Sequence, residues 1–233
     1  MSLVGWLSVA EAAQRLGVSA AQVRDLVAAG RLNAVKPGRD LLVDADAVHR
    51  RLHVEKPQRG QPWSPRIAWA VLAHASGAHV DWLSPSELVR VKRYAQRPLS
   101  DWPRLLARRA DVRCARMLAN VLRRAEELPG VAIGGVRAAN HHGAALVSAD
   151  EPHAELLTSV EAFDALARMR GSSWDSPKPN VTVRVLPGGL PRSVEEMVFG
   201  APYVPKSVAA ADLLDLGDER SRGAAQELLT HIR

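Results

Sequence analysis

The chain has 233 residues, with 31 Lys and Arg against 25 Asp and Glu and a formal net charge of +6, and its length admits one or two domains of ordinary size, roughly 100–200 residues each. No stretch approaches the roughly 18 consecutive apolar residues of a membrane helix, and the start MSLVGWLSVAEAA lacks the basic flank and cleavage pattern of a signal peptide, so a cytoplasmic protein is expected. The single Cys114 can form no internal disulfide and has no cysteine neighbour for a zinc site, which leaves buried filler as its expected role.

The first helix is announced by Ser8 and Glu11. At that spacing the hydroxyl caps one orphan backbone N–H while the carboxylate reaches back to another. Ala12, Ala13 and Leu16 fall on one helical stripe, and Gly17 supplies the left-handed stop. Ser19 and Gln22 repeat the capping device for a second helix, with Val23, Leu26 and Val27 inward and Gly30 at its end. Two short helices across a tight turn make a helix-turn-helix. Two short apolar runs, Ala34-Val35-Lys36 and Leu41-Leu42-Val43, then flank Pro37-Gly38-Arg39-Asp40, turn chemistry that predicts a small hairpin or wing. Asp44 can cap a third helix running through Leu52.

Residues 55–65 (EKPQRGQPWSP) hold three prolines, a glycine and charge without an apolar period, and read as a linker after a domain at 1–54. Ser64-Pro65 and Ser84-Pro85-Ser86-Glu87 are helix starts. The segment 66–130 is expected to be helical and Arg-rich, interrupted near 98–103 and ended by Pro129-Gly130. Residues 131–233 change character. Val131-Ala132-Ile133 and residues 180–186 (NVTVRVL) read as strands, the second alternating so as to bury one face. Helices are expected at 161–170, 207–216 and 219–232. The fold class is therefore α+β: an N-terminal winged helix-turn-helix, a helical middle and a mixed C-terminal domain.

Charge divides along the same lines: the first 130 residues carry +9 and the remainder −3, which points a polyanion to the front of the chain. In a helix-turn-helix the second helix enters the major groove, and its early outward residues meet base edges. The candidates are Ser19, Ala20, Ala21, Gln22, Arg24 and Asp25. Arg24 suits guanine, Gln22 suits adenine when it is not held in its cap, and Asp25 can accept from cytosine N4. Lys36 and Arg39 at the hairpin tip can meet a phosphate or a minor-groove edge. Arg50, Arg51, Lys56 and Arg59 follow as backbone contacts, which supply affinity rather than sequence choice. The plain alternative is helix-turn-helix geometry used only for packing, with solvated surface charge.

The run Trp6-Leu7-Ser8-Val9-Ala10-Glu11-Ala12-Ala13, with Leu16-Gly17-Val18-Ser19, Val23, Gly30-Arg31-Leu32, Gly38-Arg39 and Val43-Asp44, resembles excisionase-type helix-turn-helix domains related to MerR over residues 6–52. It departs from them at Ala20, often a basic or larger polar residue there, and at the acidic Asp25. A second resemblance covers 131–233. Residues 134–139 (GGVRAA) and 143–147 (GAALV), Asn180-Val181 with Arg184-Val185, Asp212-Leu213-Leu214, Gly217-Asp218-Glu219-Arg220 and Ala224-Ala225 resemble the AbiEi family of antitoxins. That resemblance implies a promoter-binding N-terminal domain and a C-terminal part that supports neutralisation of a nucleotidyltransferase toxin.

Enzyme readings find little footing. A nucleotidyltransferase needs a Gly-Ser turn followed closely by paired carboxylates, whereas Gly171-Ser172-Ser173 is followed only by Asp175, and the spaced pair Asp44 and Asp46 lies far upstream. His141 and His142 diverge by about 100° on a helix and cannot both face one metal as an i, i+4 pair does. No phosphate-cradling glycine motif occurs, and Gly134-Gly135 reads as a close-packed strand-to-helix turn. Trp63, Trp69, Trp82 and Trp102 read as core or interface anchors before base-stacking platforms. The expectation is a non-enzymatic, cofactor-free DNA-binding regulator that acts as an autorepressing antitoxin. Its expected partners are its own promoter, a nucleotidyltransferase-type toxin and a second copy of itself, either as a homodimer or as a cooperative pair on DNA. The rivals are an excisionase-like DNA-bending factor and a protein-binding module to which DNA is incidental.

Overall fold

The computed structural model describes residues 5–28, 32–38, 40–50, 61–146 and 153–230. The expected stop at Gly30, the linker around 55–60 and the last residues of the final helix lie outside them.

The N-terminal unit is built from β1 (Trp6–Ser8), α1 (Val9–Leu16), α2 (Ala20–Ala28), β2 (Ala34–Val35), β3 (Leu42–Asp44) and α3 (Ala45–Arg50). Its three strands form an antiparallel sheet in the order β1-β3-β2, in which Leu7 faces Val43 and Ala34 also faces Val43. The hairpin strands are shorter than the sequence implied, because Lys36 and Leu41 belong to the connection rather than to the ladder. Leu7, Ala12, Ala13, Leu16, Val23, Leu32, Val43 and Val48 close a small core of their own.

The remaining elements are α4 (Pro65–Ala75), α5 (Pro85–Ala95), α6 (Trp102–Leu105), β4 (Asp111–Met117), α7 (Ala119–Glu126), β5 (Val131–Ile133), α8 (Gly135–His141), β6 (Ala154–Thr158), α9 (Val160–Ala167), β7 (Ser172–Trp174), β8 (Val181–Val185), α10 (Arg192–Phe199), α11 (Lys206–Leu216) and α12 (Glu219–Thr230). The strands form one sheet in the order β5-β6-β8-β4-β7, parallel between β6 and β8 and antiparallel elsewhere. The expectation of an all-helical middle fails at residues 111–117, which form β4 and pair with both β8 and β7. Strand pairing thus crosses the division read at Gly130. β4 escapes notice because Arg113 and Arg116 interrupt its apolar residues, while its buried members Cys114, Ala115 and Met117 show no clean two-residue period.

Helices cover both faces of this sheet. On one face Val181, Val183, Leu156 and Ile133 pack against Ala125 of α7 and against Ala162 and Leu166 of α9. On the other, Ala132 and Leu157 meet α8, α11 and the helices around them, including α4 with the fully buried Trp69. The Trp69 Nε1–H donates to the Arg109 carbonyl at 2.7 Å, which satisfies the one polar atom the ring carries inside. α11 is buried on nearly every side from Ser207 to Leu214 and serves as the central helix of that layer.

Double coverage also corrects the reading of β8. All five of its residues are buried, so the alternation of Val with Thr182 and Arg184 separates two interiors, not an interior from solvent. Arg184 enters an ionic cluster. Its Nη2 lies 2.9 Å from Asp215 Oδ2 and 3.3 Å from Glu155 Oε2, and its Nε lies 3.2 Å from Asp212 Oδ1. Arg109 Nη2 reaches the same aspartates at 3.0 and 2.6 Å. The Gly135 N–H donates to Asp212 Oδ2 at 3.1 Å. Gly134 and Gly135 permit this approach: a Cβ on the first would stand 2.8 Å from Asp212 Oδ2, and one on the second 2.8 Å from Glu155 Oε1. The glycine pair is a close-packed strand-to-helix turn, as the sequence indicated, and residues that carry the C-terminal resemblance (Gly134, Gly135, Arg184 and Asp212) converge on this cluster.

Candidate nucleic-acid interface

α1 and α2 are held at their mutual angle by local chemistry. The Ser8 hydroxyl accepts from the Glu11 N–H, and the Ser8 N–H donates to the Glu11 carboxylate at 2.7 Å, completing the capping box. Those bonds to Ser8, the backbone one first, hold the Glu11 carboxyl below its ordinary value. At the other end Gly17 sits at φ 60°. Its N–H donates to Gln14 O, and the Val18 N–H donates to Ala13 O at 3.1 Å, the paired bonds of a Schellman stop. The chain therefore leaves α1 in a fixed direction at Gly17 and enters α2 at Ala20, three residues later. There the Ser19 hydroxyl accepts from the Gln22 N–H at 3.2 Å, and the Ser19 N–H donates to Gln22 Oε1 at 3.3 Å.

Two candidate contacts change with this geometry. Gln22 is exposed, yet its amide oxygen is engaged in the cap, so a bidentate contact to adenine requires the cap to open. Ala20 is half-buried against the N-terminal core and does not belong to the outward set. What α2 does present is Ala21, Arg24, Asp25 and Ala28, exposed at the i, i+3, i+4, i+7 spacing of one helical face, while Val23 is fully buried on the opposite side and Leu26 and Val27 are half-buried with it. Arg24 makes no ion pair among the described residues, so its guanidinium fork is available to an external acceptor. Lys36 is exposed just beyond β2, also without an ion pair among the described residues. Arg39, Arg51, Lys56, Arg59 and the side chain of Arg50 lie outside the described residues.

The other motifs singled out in the sequence are placed as follows. His141 is exposed and stacks on Tyr203 with ring centroids 4.1 Å apart, whereas His142 is half-buried and bonds Val204 O at 2.8 Å. Gly171-Ser172-Ser173 leads into edge strand β7, and the Asp175 N–H donates to Cys114 O at 3.0 Å. Cys114 is buried in β4. Trp102 is buried, and Trp63 stacks on Tyr94 at 4.9 Å. No helix among the described residues is long and apolar enough to cross a membrane. The buried ionic cluster was missed by sequence reasoning. Its signal was present in Arg184 and Asp212, lone charges inside apolar runs whose ordinary place would be the surface.

A helix-turn-helix domain model matches residues 6–53. No curated protein and no solved structure matches the chain. The matched segment coincides with the capped helix pair and its three-stranded sheet.

Proposed function

We propose, from the premise that residues 6–53 are a helix-turn-helix domain, that this protein is a sequence-specific DNA-binding transcriptional regulator. The observation that carries the reading is the exposed stripe on α2, with the unpaired Arg24 at its centre, immediately after a rigidly capped turn. α2 lies in the major groove, where Arg24 forms a bidentate contact with guanine O6 and N7, Asp25 accepts from a cytosine amine, and Ala21 supplies apolar contact to a thymine methyl. The β2–β3 hairpin serves as a wing, with Lys36 on a phosphate or minor-groove edge. Binding at its own promoter occludes transcription, and no catalytic step is required. The charge reversal Arg24→Glu is the test. It weakens binding to the preferred site by about tenfold or more, on the scale of one lost bidentate base contact plus a repulsion; unchanged affinity removes α2 from the interface.

The finer reading is an antitoxin. It is supported by the resemblance of residues 131–233 to AbiEi-type proteins and by the N-terminal domain that such a plan calls for. On this reading the protein represses the promoter it shares with a nucleotidyltransferase toxin and neutralises that toxin. Co-expression with a neighbouring nucleotidyltransferase gene decides it: rescue of growth supports the antitoxin role, and continued arrest leaves a regulator alone.

A further inference from the structure

The five-stranded sheet ends differently at its two sides. At β5 the edge is covered: the Ile133 N–H donates to Pro202 O at 2.8 Å, and the Val204 N–H donates to Ile133 O at 3.0 Å. Beyond β7 no strand pairs among the described residues. The ladder between β4 and β7 fixes which groups that edge shows. The Leu118 N–H donates to Gly171 O and the Asp175 N–H to Cys114 O, so by the antiparallel alternation Ser173 is the residue of β7 that bonds β4, opposite Arg116. Ser172 and Trp174 therefore turn their backbone N–H and C=O groups away from β4. The strand carries neither a proline nor a charged side chain, the devices that commonly blunt an edge, and Ser173 at its centre is exposed.

Three features fit this edge to itself. In an antiparallel copy centred on Ser173, Ser172 of each chain faces Trp174 of the other, and each facing pair exchanges two backbone bonds, about four in all. Ser173 then faces its own counterpart at the non-hydrogen-bonded site, where Cα atoms approach to about 4.5 Å and a charged residue would repel itself. Arg170 and Asp175 flank the strand at its two ends, both exposed and without an ion pair among the described residues. The antiparallel arrangement brings each Arg170 near the Asp175 of the other copy. A foreign strand would take the backbone bonds, but the small central residue and the order of charge are matched by this same sequence run in the opposite direction.

We propose that β7 is the contact surface for a second copy of this chain, which pairs with it antiparallel about a two-fold axis at Ser173 and continues the sheet across both molecules. Three residues from each chain bury less than the roughly 1,200 Å² of a standard interface, so the pair is weak and exchanges rapidly. The pairing holds whether or not α2 reads DNA.

The experiment is disulfide trapping in the full chain without DNA. Ser173→Cys is compared with Glu195→Cys, an exposed position on α10 at the β5 side of the sheet. Both are made with Cys114→Ala, which removes the buried native thiol, and again with Cys114 retained in case that change impairs folding. A Cα separation of about 4.5 Å accommodates a disulfide. Covalent dimer is followed on non-reducing gels under mild oxidation, with each rate normalised to the reaction of that thiol with a small thiol reagent. Ser173→Cys is expected to crosslink about tenfold faster than Glu195→Cys, or more, from the raised effective concentration of facing thiols. Adding Arg170→Glu places like charges together at both ends of the junction and brings the rate down toward the control. Reversing both charges, with Arg170→Glu and Asp175→Lys, restores it. Equal normalised rates at positions 173 and 195 overturn the proposal, as does a Ser173→Cys rate that Arg170→Glu leaves unchanged.

Discussion

Replacing Glu155 with glutamine is expected to stabilise the protein above neutral pH and to change it little near pH 5. Burial pushes the Glu155 carboxyl up from its ordinary 4.5 to about 7; the Arg184 guanidinium opposes the rise, and Asp212 and Asp215 add to it. Between those two values the folded chain keeps a proton that the unfolded chain has released. The folded state binds more protons there, so the stability contributed by this group falls as pH rises through the window, and the loss is complete above the folded value. At about 1.4 kcal/mol per pH unit, the span amounts to on the order of 3 kcal/mol. His153 works in the opposite direction. Burial, then the charge of Arg184, lowers its imidazole from 6.5 to about 4, so stability from that group is lost as pH falls through the same region. The two effects offset each other in the native protein, which is expected to show a flat profile where they overlap. Comparing wild type with Glu155→Gln isolates the carboxyl. Urea unfolding followed by tryptophan fluorescence, at several pH values from about 5 to about 8, reads the gap between the two proteins. A gap that widens by a few kcal/mol toward alkaline pH is predicted; a gap independent of pH refutes the account of a proton held by burial.

Arg184→Met removes the guanidinium that reaches Glu155, Asp212 and Asp215 and leaves Arg109 on the two aspartates, and a loss of about 3–5 kcal/mol is expected, as for other broken buried ion pairs; a loss under about 1 kcal/mol in chemical unfolding would mean that the cluster is open to water. Gly17→Ala forces a Cβ into the left-handed region and is expected to cost about 1–2 kcal/mol. That loss should appear as faster amide exchange confined to the helix-turn-helix, with the larger sheet unaffected.

The N-terminal helices were legible because their boundaries are written in local chemistry. Ser8 with Glu11, Ser19 with Gln22, and Gly17 each act within four residues, so reading them needs no knowledge of the rest of the chain. α4 and α5 were likewise marked by Ser64-Pro65 and Ser84-Pro85, and the Ser84 cap forms with Glu87 as its spacing implied. What the sequence hid depends on distant partners. β1 and β7 are three residues long, too short to display a period, and they exist because β3 and β4 offer them an edge. β4 is a strand because β8 pairs along five of its residues, an arrangement that overrides the helical look of its Arg-rich surroundings. Ala20 was assigned outward from its place in the helix, whereas tertiary packing turns it to the core.

The central claim, that the capped helix pair reads DNA, is tested most directly by fluorescence anisotropy of the full chain on the DNA upstream of its own gene and on scrambled DNA of equal length, repeated across a salt series. The account predicts a preference of about a thousandfold or more for the native sequence, with log affinity falling linearly as log salt rises. Equal, weak binding to both DNAs at every salt concentration would contradict it.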